Sequence, residues 1–116
     1  MKLLKKEYID TLPEKRERIS LLFEKKKFEE LETEFHKMKG TGKTYGLSEV
    51  SLLGEVLEKL CIKFPSSLAS AIPVALLLIE EIFKARILDH EFLIEDSDAF
   101  QKLKLKTRKT PETEGK

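Results

Sequence analysis

Residues 35–47 read FHKMKGTGKTYGL. Apolar residues three and four apart lead into this stretch and continue through it: Phe28, Leu31, Phe35, Met38 and Tyr45. That spacing predicts a helix from about Phe28 to Thr44. Two glycines interrupt it, Gly40 and Gly42, and each costs a helix interior about 1 kcal/mol relative to alanine. A rotation of about 100° per residue separates the two. Gly42 falls on the inward stripe, where a neighbouring helix can approach closely. Gly40 falls with Glu29, Glu32, His36, Lys39 and Lys43 on a stripe that faces water.

Outward from this segment the chain is helical by pattern. Leu3, Leu4, Tyr8 and Ile9 suggest a short opening helix, and Pro13 suits the first turn of a second, with Ile19, Leu22 and Phe23 turned inward. Lys25-Lys26-Lys27 makes the next connection. Gly46 marks the stop of the third helix as a left-handed cap. Ser48 is the expected N-cap of a fourth, with Val50, Leu53, Leu57, Leu60 and Cys61 on its inner face. Phe64-Pro65-Ser66-Ser67 breaks the chain again. A fifth helix holds Leu76, Ile79, Ile82, Phe83, Ile87 and Phe92, and either begins at Pro73 or is kinked there. Strand signals are nearly absent, KLKLK at 102–106 being the one sustained alternation. The pattern predicts an all-α fold, an antiparallel four-helix bundle with an additional short N-terminal helix across one end. Residues 1–94 form the bundle, and residues 95–116 a charged, flexible C-terminal tail.

Composition narrows the function. Charged residues make up 37% of the 116, yet the formal net charge is +1, which argues against a chain built to coat nucleic acid. The basic run Lys102, Lys104, Lys106, Arg108 and Lys109 reads as a solvated tail. One cysteine, Cys61, allows no internal disulfide or zinc cluster and reads as a buried, inert thiol. The opening residues are too charged for a signal peptide, and the apolar run Ala71–Ile79 ends at Glu80-Glu81, short of a membrane span. The expectation is a cytoplasmic monomer with no membrane, nucleic acid, metal or cofactor of its own.

His36 carries the chemistry. A neutral imidazole is a good nucleophile, a nearby ammonium disfavours a second positive charge on it, and the same ammonium can pair with a phosphoryl group once the ring carries one. Lys39 and Gly40 are its neighbours one turn along. The missing side chain at Gly40 leaves room for another protein to bring a phosphorylated group in line with the ring nitrogen, and positioning is most of what phosphoryl transfer needs.

The segment His36-x-x-Lys39-Gly40, with Gly46 ten residues after the histidine, resembles the signature of histidine phosphotransfer (HPt) domains. LGEVLEKL, with Leu57-Glu58, resembles a further helix of the family, and the likeness extends over about residues 8–92. The resemblance implies a four-helix bundle bearing one phosphorylatable histidine, without a nucleotide site. Such a domain passes a phosphoryl group between a receiver aspartate, or a sensor histidine kinase, and another receiver aspartate, with Mg²⁺ on the receiver. It implies His36 as the phosphorylation site through its outer ring nitrogen, Lys39 as charge partner and Gly40 as clearance. Glu58 aligns with a glutamate that, in the chemotaxis-kinase version, hydrogen-bonds the other ring nitrogen; a solvated Glu58 is an equal alternative. Lys37, Thr41, Lys43 and Thr44 depart from the small residues common after the histidine, and Lys43 lies where it can support phosphate or partner contact.

Rival readings are a helical adaptor that binds a receiver or other partner without being phosphorylated, and a detached input domain of a larger kinase. GTGKT imitates a phosphate-binding loop, but the position five before Gly42 is Lys37 instead of glycine, and no strand precedes it. His90 sits between Asp89 and Glu91, whose directions diverge on a helix, so no metal site forms there.

Overall fold

The computed structural model describes residues 2–108, with the side chains of Lys2 and Leu3 excepted. Those residues form six α-helices and no strand: α1 (Lys2–Asp10), α2 (Leu12–Glu24), α3 (Phe28–Thr44), α4 (Ser48–Lys63), α5 (Leu68–Ile87) and α6 (Asp98–Lys106). Single 3₁₀ turns at Pro65–Ser67 and Ile94–Asp96 precede the last two. The protein is a helical bundle. α3 packs along α4, α2 along α5, and α2–α3 and α4–α5 contacts join the pairs.

Helix ends explain why the chain turns where it does. After α3 the Leu47 N–H donates to the Gly42 carbonyl (2.7 Å) and the Gly46 N–H to that of Lys43, closing a Schellman turn. Gly46 takes the left-handed φ of +83° this turn requires. α2 and α5 end the same way without glycine, with Lys26 at φ 60° and Asp89 at φ 65°. The fifth helix therefore stops at Ile87, and Phe92 lies in the following loop, half-buried. α5 begins at Leu68, five residues before Pro73. That proline is tolerated inside the helix because it faces solvent beside an exposed Ala69, whose carbonyl loses the N–H it would otherwise meet. Nor is Ser48 an N-cap: Leu47 holds that position and no side chain caps the helix.

The core runs through every helix. Ile19, Leu31, Phe35, Leu53, Leu57 and Ile82 are among its fully buried members. α1 is anchored by Tyr8, which stacks on Tyr45 of the α3 terminus at 4.9 Å and donates its hydroxyl hydrogen to Thr41 Oγ1 (2.8 Å). Thr41 is the acceptor there because its own hydrogen goes to the Lys37 carbonyl. Phe28 and Ile87, assigned inward by spacing, lie half-exposed at helix ends, where less bundle surrounds them. The segment Pro65–Ile87 is long and apolar enough by composition to cross a membrane, more than the run Ala71–Ile79 suggests. Its inner face, including Ala71, Ile72, Ala75, Leu78 and Ile82, is buried in the bundle.

The C-terminal segment corrects the expectation of a tail beginning at Glu95. Ser97 caps α6, its hydroxyl accepting from the Phe100 N–H, and Phe100 and Leu103 are buried to 1% and 0% exposure. Two large side chains three residues apart suffice to dock a two-turn helix on α4 and α5. KLKLK is part of that helix. Residues 109–116, the rest of the expected tail, lie outside the described residues.

Among the described residues two carboxylates are buried, and each has an arginine. Glu34 accepts from Arg18 Nε (2.8 Å). Glu49, 1% exposed, accepts from Arg86 Nε (2.7 Å) and Nη2 (3.0 Å) in a fork, while Nη2 also reaches the Gly46 carbonyl. These bonds hold the Arg86 guanidinium pKa above its ordinary value. They also tie the α3–α4 turn to the end of α5.

Candidate functional site

The α3–α4 hairpin is packed unusually close, and small residues permit it. A Cβ on Gly42 would lie 2.6 Å from the Ser51 nitrogen and 2.9 Å from the Leu47 oxygen. One on Gly54 would lie 2.7 Å from the Lys39 nitrogen and 2.8 Å from the Phe35 oxygen. These are backbone atoms, with no flexible side chain to yield, so only glycine fits. Between them Ser51 is buried, and its hydroxyl donates to the Lys39 carbonyl (2.6 Å). Ser51, Gly54 and Glu58 fall three and four apart along one side of α4, so the same approach that admits the glycine brings the carboxylate to α3.

Glu58 meets His36 there. Its Oε2 lies 2.8 Å from His36 Nδ1, and its Oε1 lies 3.8 Å from Lys39 Nζ. The carboxylate side chain is 16% exposed, while the imidazole remains 70% exposed. An ionised carboxylate only accepts, so Nδ1 is the nitrogen that donates to Glu58, and in the neutral ring Nε2 is then the one with the free lone pair. The carboxylate that the family resemblance offers as a ring partner thus touches the imidazole and also pairs with the Lys39 ammonium. That ion pair sets one positive and one negative charge side by side there.

Gly40 differs from the other helix glycines. A Cβ there would meet nothing within 4 Å. No internal packing demands glycine at this position, and space beside the imidazole is open. Lys43 is exposed and makes no ion pair among the described residues. Gly46 lies at the turn, with its left-handed φ. The α3–α4 hairpin thus brings together His36, Lys39, Gly40 and Glu58, with Lys43 a further turn along the same face.

Apolar spacing carries no sign of Ser51 and Gly54, though a glycine inside an amphipathic helix is the same signal that marks Gly42. Cys61, on the inner side of α4, is half-buried. Burial pushes its thiol up to about 12, and the charges of Glu32 and Glu58 add to the shift. It is a thiol, not a thiolate nucleophile, at neutral pH. Among the described residues no cluster of three or more His, Cys, Asp or Glu could hold a metal ion.

Comparison with known proteins finds one family: the model of the Hpt domain matches residues 4–92. No curated protein and no solved structure matches the chain.

Proposed function

The chain belongs to the Hpt domain family of two-component phosphorelays, and from that premise we propose that His36 is the residue that carries the phosphoryl group. Domains of this family are phosphocarriers, not kinases, and work with receiver domains and histidine kinases. In this reading α2–α5 are the four-helix bundle of such a domain and α1 lies across one end. The observation that carries it is the 2.8 Å contact of Nδ1 with Glu58 beneath a largely exposed ring.

The contact performs two tasks. It fixes the tautomer, so that Nε2 is the free base, and it fixes the ring plane, so that the lone pair points at an incoming phosphorus. Nε2 attacks the phosphorus of an aspartyl phosphate, an N–P bond forms, the acyl O–P bond breaks, and the electron pair leaves with the aspartate carboxylate. Lys39 can then turn from Glu58 to the new phosphoryl oxygens. A pair of unit charges about 4 Å apart gains on the order of 1 kcal/mol in water and about 4 kcal/mol under partner cover. Open space at Gly40 admits the donor. The return step reverses these motions on a second receiver aspartate, with Mg²⁺ held by the receiver. The protein acts in the cytoplasm as a monomer.

Incubation with a small phosphodonor such as phosphoramidate, or with a phosphorylated receiver, is expected to give a label stable to base and lost in acid. His36→Ala should remove it while leaving the helical circular dichroism intact. A His36→Ala protein that labels as well as the parent would refute the assignment.

A further inference from the structure

The phosphocarrier reading leaves one feature unused, the basic run that begins at Lys102. Read from sequence it belongs to a solvated tail. In the structure it lies on α6, a helix beyond the matched family region of residues 4–92 and docked through Phe100 and Leu103.

The placement of α6 is specific. The 3₁₀ turn before it lies beside Ser48, Glu49 and Leu52 at the start of α4. The body of α6 shares a groove with the rest of α4, lined by Glu55, Val56 and Lys59 on one side and by Phe100, Lys104 and Thr107 on the other, with Glu95 at its end. α6 therefore follows α4 in the same direction. Lys59 is the residue after Glu58, about 100° further round the helix. An exposed strip of α4 that includes Glu55 and Ile62 thus separates α3, which carries His36, from α6. The three helices make one layer with the imidazole near one edge and α6 at the other.

Charge distinguishes that second edge. Lys59, Lys102, Lys106 and Arg108 make no ion pair among the described residues, and Lys104 lies over the Phe100 ring. Two carboxylates, Glu55 and Glu95, line the groove with Lys59 and Lys104. Glu95, Asp96 and Asp98 lie toward the N-terminal end of α6, and the cations gather toward its C-terminal end.

We propose that α6 and Lys59 form a cationic flank of the docking face around His36, and that this flank receives the acidic surface of the protein domain that exchanges phosphoryl with His36. The proposal rests on the phosphocarrier reading. Packed helices stand about 8–10 Å apart, so the α6 axis lies about 16–20 Å from that of α3. A standard interface covers about 800 Å² per partner, a disc roughly 32 Å across. Centred on His36, its rim falls on the side chains of α6. Charge complementarity to the flank assigns acidic groups to the matching rim of the partner, outside the Mg²⁺-binding carboxylates that stand at the centre against His36. Rim charges of this kind set the association rate more than the chemistry.

The test uses the full chain and receiver domains from its own cell, phosphorylated with acetyl phosphate and Mg²⁺; the receiver that labels the parent fastest is the probe. The variant Lys59→Gln/Lys102→Gln/Arg108→Gln is compared with a charge-matched control, Lys25→Gln/Lys26→Gln/Lys84→Gln, after circular dichroism shows both folded. Rapid-quench transfer should give a second-order rate about tenfold lower for the flank variant at low salt. The deficit should shrink toward parity near 0.5 M salt, where screening shortens to about 4 Å, and the first-order step within the complex should be unchanged. Equal rates and equal salt slopes for the two variants would overturn the proposal. So would binding of a 20-nucleotide single strand, by fluorescence anisotropy, that the flank variant loses while its transfer is unaffected. Phosphoramidate labelling of the parent separates the two levels. Labelled parent with an indifferent flank variant defeats the flank alone, whereas a parent that no donor labels defeats the phosphocarrier reading and the flank with it.

Discussion

Replacing Gly40 and Gly42 one at a time by alanine should shift stability in opposite directions. Both replacements recover about 1 kcal/mol of helix propensity. At Gly40 the new methyl group meets nothing within 4 Å, so the whole gain survives, and the melting temperature should rise by about 4 °C for a chain of this size. At Gly42 the methyl would stand 2.6 Å from the Ser51 nitrogen and 2.9 Å from the Leu47 oxygen. Neither can move without parting α3 from α4, so overpacking at the upper end of about 1–3 kcal/mol applies. The net loss should be about 1–2 kcal/mol, or about 4–8 °C. Urea unfolding followed at 222 nm measures both. The functional readout runs against the stability readout: Gly40→Ala should be the more stable protein and the slower phosphoryl acceptor, and Gly40→Leu slower again. A destabilised Gly40→Ala would refute the geometry, and undiminished transfer by Gly40→Leu would refute clearance for a partner.

Removal of the Phe100 ring should cost about 3–5 kcal/mol as Phe100→Ala, seen as a lower urea midpoint; an unchanged midpoint would mean that α6 is not part of the core. Arg86→Ala strands the carboxylate of Glu49, which is 1% exposed, and should cost about 3–5 kcal/mol. Glu49→Gln/Arg86→Met should recover part of that loss, because no charge is then left alone. Cys61, with its thiol held up to about 12, should react with an aromatic disulfide at pH 8 about a thousandfold more slowly than an ordinary thiol. Its rate should climb tenfold per pH unit well past pH 9, because burial disfavours the thiolate; a plateau near pH 9 would contradict this.

Much of this architecture is legible in the spacing of apolar residues. The stripe from Leu31 to Tyr45 places α3, and it separates the packing glycine Gly42 from the open glycine Gly40. What escapes the pattern has physical causes. α5 stops at Ile87 and Asp89 takes the left-handed turn beyond it, so no glycine marks the stop and the helix reads as if it reached Phe92. α6 carries two buried side chains among many charges, and composition averaged over the segment hides them. The Glu49–Arg86 pair joins residues 37 apart, a distance no local period reports. His36, Lys39 and Gly40 are recognisable within one helical turn. The pairing of Glu58 with the ring depends on the close α3–α4 approach through Ser51 and Gly54, a tertiary fact that only the family resemblance anticipates.

The most direct test is the imidazole itself, by ¹⁵N NMR of histidine-labelled protein before and after phosphoramidate. Before reaction, His36 should show Nδ1 protonated and Nε2 bare, and Glu58→Ala should collapse that preference toward a tautomer mixture. After reaction, a phosphorus coupling should appear at His36 Nε2 and not at His90. A coupling at Nδ1, or no coupling at His36 at all, would contradict the account.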